Sequence, residues 1–460
     1  QLRRLTRHAE RGERWMPAGT RLTSLAPEPQ AAQLAQIPAT VRQHALALEA
    51  ALREDVSGAL RAVRDGLAEV SGQVETFEDP ALRAHVARSG ERLATFGLGL
   101  AVRDGCAGEV FEWAERWRAV TAPAHACGLV EADRVRAALE GAALVEFVAD
   151  EESLLAVLIS GERVVLRRLG DVRQVREATM RLRHALRRWG AGLGFGGSSD
   201  GLTVAGEELE RLLLRPLGAE LGDRPLVVVP VGPLHTLPWG ALPCLRERPV
   251  SVAASAAAWV RATDLARHAG TSATDGGERG PVVRAAAGPA LSHARAEVAR
   301  VLACHPGGKE VAGRRGDVLA ALAEADVLHL AAHGTFHARS PLLSGITLDD
   351  GQLMAYDLLG VPRSPRLVVL SSCNSGMART PAEGAPLGLP GTFLARGSSC
   401  VVAGMVPIGD EAAMAMMSTF HELVASGQSP DAALACAAAK TGLLGFVCFG
   451  AGGRPLYPPR

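Results

Sequence analysis

The chain has 460 residues, 48% hydrophobic and 21% charged, enough apolar material for about three domains of ordinary size. Its 49 basic residues are matched by 49 acidic ones, so there is no bulk attraction to nucleic acid or to an anionic membrane surface. No apolar run reaches the roughly 18 residues of a membrane span, the N-terminus has no signal-type hydrophobic core, and eight cysteines without paired spacing suit reduced thiols in a reducing cytoplasm.

Residues 1 to about 125 read as helical. Leu48, Leu52, Val56, Leu60, Val63, Leu67 and Val70 recur every three or four places, which predicts one apolar stripe on one long helix. Residues 109–118 predict another. No 34-residue repeat is present, so these helices are either the end of a longer solenoid or a helical regulatory cap. The chain opens on Gln1 rather than methionine, as expected of a fragment or a processed protein.

Around residue 140 the periodicity changes. Residues 142–148, 154–159 and 164–169 predict an antiparallel set with tight turns at Asp150-Glu151 and Ser160-Gly161. A helical stretch runs to Trp189, and the glycine cluster 190–199 reads as a loop, because no lysine-serine pair gives it a phosphate-cradle context. Residues 207–217 are helical and lead into a buried strand at 226–229. The stretch 270–281, rich in Thr, Ser, Asp and Gly, reads as a flexible linker.

Two later stretches carry the chemistry. Residues 327–334 end in Ala332-His333-Gly334, and residues 367–376 run through Ser371-Ser372-Cys373-Asn374-Ser375-Gly376. Each is an apolar strand-like run followed by a reactive residue and small turn formers. Parallel strands set their carboxyl-terminal residues along one edge, so neighbouring runs would bring His333 and Cys373 together. The interval of 40 residues leaves room for the strand-helix crossover that a parallel pair requires. An imidazole favours the thiolate and returns a proton to the leaving amine. Gly334 lets the backbone turn an amide towards the oxyanion, and the Cys373 amide is the second donor if a helix opens there.

Zinc is the competing use of these side chains. His329, His333 and His337 are spaced by four, with Cys304, His305 and Cys373 as further candidates, but the segment reads as a strand. His329 and His333 would then lie about 13 Å apart, too far for a shared ion. No metal and no other cofactor is therefore expected. His329 reads as a core residue and His337 as a loop residue, and Cys106, Cys127, Cys244, Cys304, Cys400, Cys436 and Cys448 read as packed thiols.

The His-Gly and Ser-Ser-Cys-Asn-Ser-Gly motifs, in this order, resemble the CHAT proteases, caspase-like relatives of separases, metacaspases and caspases. The similarity extends to residues 226–242, 341–357, 388–397, 401–410 and 446–450, and its expected span is about 130 to 460. The Gln-Ala-Cys-x-Gly signature of caspases proper is not matched. The resemblance implies an α/β fold with a caspase-like, mostly parallel sheet flanked by helices. It implies a helical regulatory or repeat-remnant region at 1–130, a non-catalytic pseudo-half at 131–269 in which His235 has no matching cysteine, the linker 270–281, and a protease core at 282–460.

The activity it implies is that of a cytoplasmic cysteine endopeptidase with His333 and Cys373 as the dyad and Gly334 and Cys373 as the oxyanion hole. Expected partners are a protein substrate, such as a gasdermin-like effector in antiviral defence or cell death, and an upstream sensor or activator protein. Where separases place an acidic residue for arginine this chain has Pro407, and where metacaspases place an aspartate it has Ser371. Glu383 and Asp410 are the remaining carboxylates that would line a substrate pocket. A catalytically silent interaction scaffold is the alternative from another class, and an acyl transferase or amidase using the same dyad is a third.

Overall fold

The computed structural model describes residues 38–458 except 123–127, 162, 191–197, 272–279 and 379–387. Most of the glycine cluster and of the expected linker, together with Cys127 and Glu383, lie outside the described residues.

The front of the chain forms α1 (Ala39–Leu52), α2 (Val56–Glu75), α3 (Pro80–Ala87), α4 (Glu91–Asp104), α5 (Ala107–Thr121) and α6 (Ala132–Leu139). The stripe from Leu48 to Val70 is thus divided between two helices, not carried by one. Glu54 adopts a φ of 62°, and Asp55 caps α2 by accepting a hydrogen bond from the Gly58 amide at 2.8 Å. Leu52, at the break, is 86% exposed. A satisfied helix-end amide outweighed continuation of the stripe.

Three antiparallel strands follow as expected, β1 (Ala143–Asp150), β2 (Ser153–Ser160) and β3 (Arg163–Asp171), then α7 (Val172–Gly190), α8 (Ser198–Leu213), the single turn α9 (Gly218–Leu221), β4 (Leu226–Val229), β5 (Val250–Val252) and α10 (Ala256–Thr271). The second part contains β6 (Val283–Ala287), α11 (Ala294–Cys304), β7 (Lys309–Glu310), α12 (Arg315–Glu324), β8 (Val327–Ala331), β9 (Gly334–Thr335), β10 (Gly345–Leu348), β11 (Gly351–Met354), β12 (Leu367–Ser371), α13 (Leu389–Ala395), β13 (Cys400–Gly404), α14 (Asp410–Ala425), α15 (Pro430–Thr441) and β14 (Phe446–Gly450).

One sheet of 11 strands runs through both parts in the order β3-β2-β1-β4-β5-β14-β13-β12-β8-β6-β7. Its pairs are parallel from β1 through β4 and β5 to β14, and again from β13 through β12, β8 and β6 to β7. The two blocks meet at the antiparallel pair β13–β14. The mostly parallel α/β architecture read from the sequence is present.

Strand alternation divides the core. Val145, Phe147, Leu328, Leu330, Val368 and Leu370 face one layer, with α7, α8, α12 and α13. Leu144 and Val148 face the front helices and α10, while Val327, Leu367, Val369 and Val402 face α14 and α15. Parallel strands buried on both faces need such near-continuous apolar runs.

The front helices share that second core with β1, β2 and β4 and are pinned to them by Arg118 of α5. Its guanidinium donates to Glu146 Oε1 at 2.9 Å and to the carbonyls of Phe147, Pro230 and Ala254 at 3.0, 3.3 and 3.2 Å. Glu115, one helical turn earlier, accepts the Ala256 and Ala257 amides at 2.9 and 2.8 Å, and so caps α10.

Between β8 and β12 the helix of the expected strand-helix crossover is reduced to a short 3-10 turn. The chain forms a small antiparallel sheet, β11-β10-β9, before that turn at Asp357–Gly360. The alternation of buried Ile346, Leu348 and Leu353 has the period of two that suits strands, and a two-residue loop after Leu348 closes the hairpin.

Candidate active site

β8 and β12 pair in parallel from Val327 opposite Leu367 to Ala331 opposite Ser371. His333 and Cys373 each come two residues after these last partners, so both leave the sheet at the same level of the same edge. Ala332 N–H still donates to Ser371 O at 3.3 Å, carrying the pairing one step further.

Gly334 then lies directly against the Ser372–Cys373 segment. A Cβ built on it would fall 2.5 Å from Cys373 O and 3.2 Å from Ser372 Oγ, a space that only glycine leaves free. The His333 carbonyl is fixed from the other side, accepting from Thr347 N–H at 2.8 Å.

His333 is exposed, and its Nε2 stands 3.3 Å from Ala290 O. A carbonyl only accepts, so this contact places the proton on Nε2 and leaves Nδ1 as the basic nitrogen. Ala290 belongs to the turn after β6 and has a φ of 61°. Three residues on, His293 donates its backbone N–H to Asp410 Oδ2 at 2.7 Å, and its ring Nδ1 lies 3.3 Å from the same oxygen. One turn therefore holds the His333 ring and the start of α14.

Cys373 is half-buried and no helix opens at it. Residues 373–376 form a turn instead. Asn374 takes a φ of 56°, a left-handed conformation that asparagine tolerates better than most residues. The turn is bolted down by Ser375, whose Oγ donates to Ser372 O at 2.9 Å and accepts from Gly404 N–H at 3.3 Å. Gly376 N–H adds a bond to Gly404 O at 2.9 Å. Gly404 is needed here because its Cβ would sit 2.6 Å from Ser372 O.

The Cys373 sulfur is engaged by Ile408, whose amide lies 3.4 Å away as donor and whose carbonyl lies 3.7 Å away as acceptor. Among the described residues no hydrogen bond joins the thiol to His333.

Of the pocket candidates, Ser371 is the buried last residue of β12, 5% exposed, and Asp410 is committed through Oδ2 to His293. Glu383 lies outside the described residues. The oxygens Ser371 Oγ, Ser372 Oγ and Asn374 Oδ1 are buried without a protein partner among the described residues. A cavity of about 90 Å³ lies beside the turn, lined by Gly376, Ala378 and parts of α10 and α13, but neither His333 nor Cys373 lines it.

Ala290, His293 and Ile408 were not legible as site residues. The only signal was the turn-forming Gly288-Pro289 after an apolar strand, which marks the edge without saying what the turn will touch. Among the described residues no cluster of metal-ligating side chains is present. His337 is a loop residue, as read. Cys400 and Cys448 are buried and free, whereas Cys106 and Cys244 are exposed rather than packed in the core.

The family model described as "CHAT domain" matches residues 203–441, just over half the chain and narrower than the expected 130 to 460. Among solved structures, the chain is similar to a chain of the crystal structure of the Saccharomyces cerevisiae separase-securin complex at 3.0 angstrom, with 9% identity and a TM-score of 0.52. The match covers 86% of this chain and 37% of that one, so this chain spans little more than a third of its solved relative. A second structure of that complex, at 2.6 angstrom, gives 8% identity, a TM-score of 0.49, and 86% and 38% coverage. Comparison with curated proteins gives no match. Among the described residues no helix is long and apolar enough to cross a membrane.

Proposed function

The chain belongs to the CHAT domain family, and on that premise we propose that it is a cytoplasmic cysteine endopeptidase with Cys373 as nucleophile and His333 as general acid and base. The observation that carries this reading is that the two residues each follow the ends of adjacent, in-register parallel strands by two positions, with Gly334 against the carbonyl of Cys373.

In the proposed cycle, His333 Nδ1 takes the thiol proton, with Nε2–H held by Ala290 O. The sulfur attacks the scissile carbonyl, and the oxyanion is met by the amides of Gly334 and Cys373. The imidazolium gives its proton to the leaving amine as the carbon–nitrogen bond breaks, and a thioester remains on Cys373. His333 then draws a proton from water, hydroxide attacks the thioester, and the acid product and thiol are released. For this to begin, the thiol must exchange its contact with Ile408 O for one with His333.

The substrate is a protein, with a gasdermin-like effector in a defence or cell-death response as the proposed class and a sensor or activator protein upstream. Both follow from fold-level analogy. The engagement of the thiol by Ile408 favours one second reading, a catalytically silent scaffold that uses the caspase-like core for docking.

The test is to incubate the protein with a peptide library and with the products of neighbouring genes, beside Cys373→Ala, and to map cuts by mass spectrometry. Cuts that vanish in the variant support the endopeptidase. Cuts that persist in the variant exclude it, and none from either protein favours a missing activator or the scaffold.

A further inference from the structure

Beneath the catalytic edge, five side chains from separate parts of the chain form a continuous buried line. Glu297 Oε1 of α11 is 2.9 Å from His329 Nε2 on β8. His329 Nδ1 is 3.1 Å from His421 Nε2 on α14, and His421 Nδ1 is 2.8 Å from His305 Nε2 just after α11. His305 Nδ1 is 2.6 Å from the Tyr457 hydroxyl, and the two rings stack with centroids 5.6 Å apart. Glu297, His305, His329 and His421 are each at most 1% exposed, while Tyr457 is only partly buried.

We propose that this line is a single-proton switch that links the strap after β14 to the helices α11 and α14. The argument is a count of protons. With three neutral imidazoles and an ionised Glu297, every bond is satisfied in one direction: Tyr457 donates to His305, and each Nε2–H donates onward until His329 donates to the carboxylate. One added proton at the Tyr457 end reverses the whole line when its charge settles on His329, the ring that meets the Glu297 carboxylate. His305 Nδ1–H then donates to the Tyr457 oxygen, His421 Nδ1–H to His305, His329 Nδ1–H to His421, and His329 becomes an imidazolium against Glu297. All four bonds survive. A second proton must set N–H against N–H or protonate Glu297, and breaks the line.

The two states differ at the ends. Tyr457 changes from donor to acceptor within the strap, whose Leu456 and Tyr457 pack on the core under α14 and α15. Glu297 meets an imidazole in one state and an imidazolium in the other. Its helix and α14 are also cross-linked at the catalytic edge by His293 and Asp410. The switch itself does not depend on the protease reading.

The surroundings add little charge. Cys304, beside His305, donates to Arg300 O on its own helix, and Glu422, beside His421, acts on Cys304. The strand partners of His329 are Ala285 and Val369, and α15 contributes Ala433, Leu434 and Ala437 to the core it shares with α14. Burial, then the His329 charge, holds His305 down to about 4, and burial followed by the two other rings holds His421 well below the imidazole range.

The experiment is long-range proton–nitrogen NMR of histidine-labelled protein from pH 8 towards pH 4. At pH 8 all three rings are expected as Nε2–H tautomers. On acidification His305 and His421 should convert to Nδ1–H and His329 to imidazolium, with one shared midpoint. His421→Phe should abolish the shared midpoint. Tyr457→Phe, the milder variant, should lower it: both states lose the Tyr457 bond, but the reversed line is left with a buried Nδ1–H on His305 and the forward line only with an unfilled lone pair there. Separate midpoints in the wild type, a mixed set of tautomers at pH 8, or an unmoved midpoint in Tyr457→Phe would overturn the proposal.

Discussion

Gly334 and Cys373 touch through the backbone: a methyl group on Gly334 would lie 2.5 Å from the Cys373 carbonyl oxygen. Since that atom is main chain, it cannot swing aside, and Gly334→Ala must push the two strand ends apart. A displacement of even about 1 Å at reacting groups costs roughly a hundredfold in rate. The variant should fold and lose at least that much kcat, measured on any peptide that the wild type cuts.

Ser375 holds the turn that carries Cys373 from two directions, donating to Ser372 O and accepting from Gly404 N–H. Ser375→Ala leaves that amide short of a side-chain partner in a buried place. Denaturant unfolding should show a loss of about 1–2 kcal/mol, and cleavage should slow because the turn carrying Cys373 loosens.

Arg118 carries the attachment of the front helices, with Glu115 and Glu146 beside it. Arg118→Ala leaves buried carboxyls without their cation and three carbonyls without a donor, so a loss of about 3–5 kcal/mol is expected. Urea titration followed by tryptophan fluorescence, with Trp113 and Trp117 on the same helix, would record it.

Two opposed pH effects follow from buried groups. Burial, and next the neighbouring Glu115, push Glu146 up to about 8. The folded protein therefore keeps a proton that the unfolded chain loses near pH 4.5, and this contribution is lost as pH rises through about 8. Glu146→Gln should remove that alkaline slope. His305 is held down to about 4, so between pH 6.5 and 4 the unfolded chain binds the extra proton and stability falls with falling pH. Urea midpoints at pH 5, 7 and 8.5 for wild type and Glu146→Gln separate the two effects.

The strand edge was readable because its signal is local: a buried apolar run, then a reactive residue, then glycine, written twice forty residues apart. The connection between the two runs was read as a strand-helix crossover with an Asp-Gly turn; the strands and the turn are there, while the helix begun by Asp357 is only a short 3-10 turn. The break at Glu54 was hidden by an apolar stripe that continues across it. Ala290, His293 and the partners of His329 belong to contacts between elements far apart in sequence. His329 was correctly placed in the core, but nothing in Val327–Ala331 indicates His421 or Glu297. Asp410 was legible as a carboxylate near the edge, whereas its commitment to His293 was not.

The most direct measurement is acid-quenched mass spectrometry of the protein with cleavable peptides, with mapping of any acyl adduct. The account predicts a thioester on Cys373, absent from Cys373→Ala and strongly reduced in His333→Ala. Cleavage that persists without an adduct at Cys373, or an adduct confined to another cysteine, would contradict it.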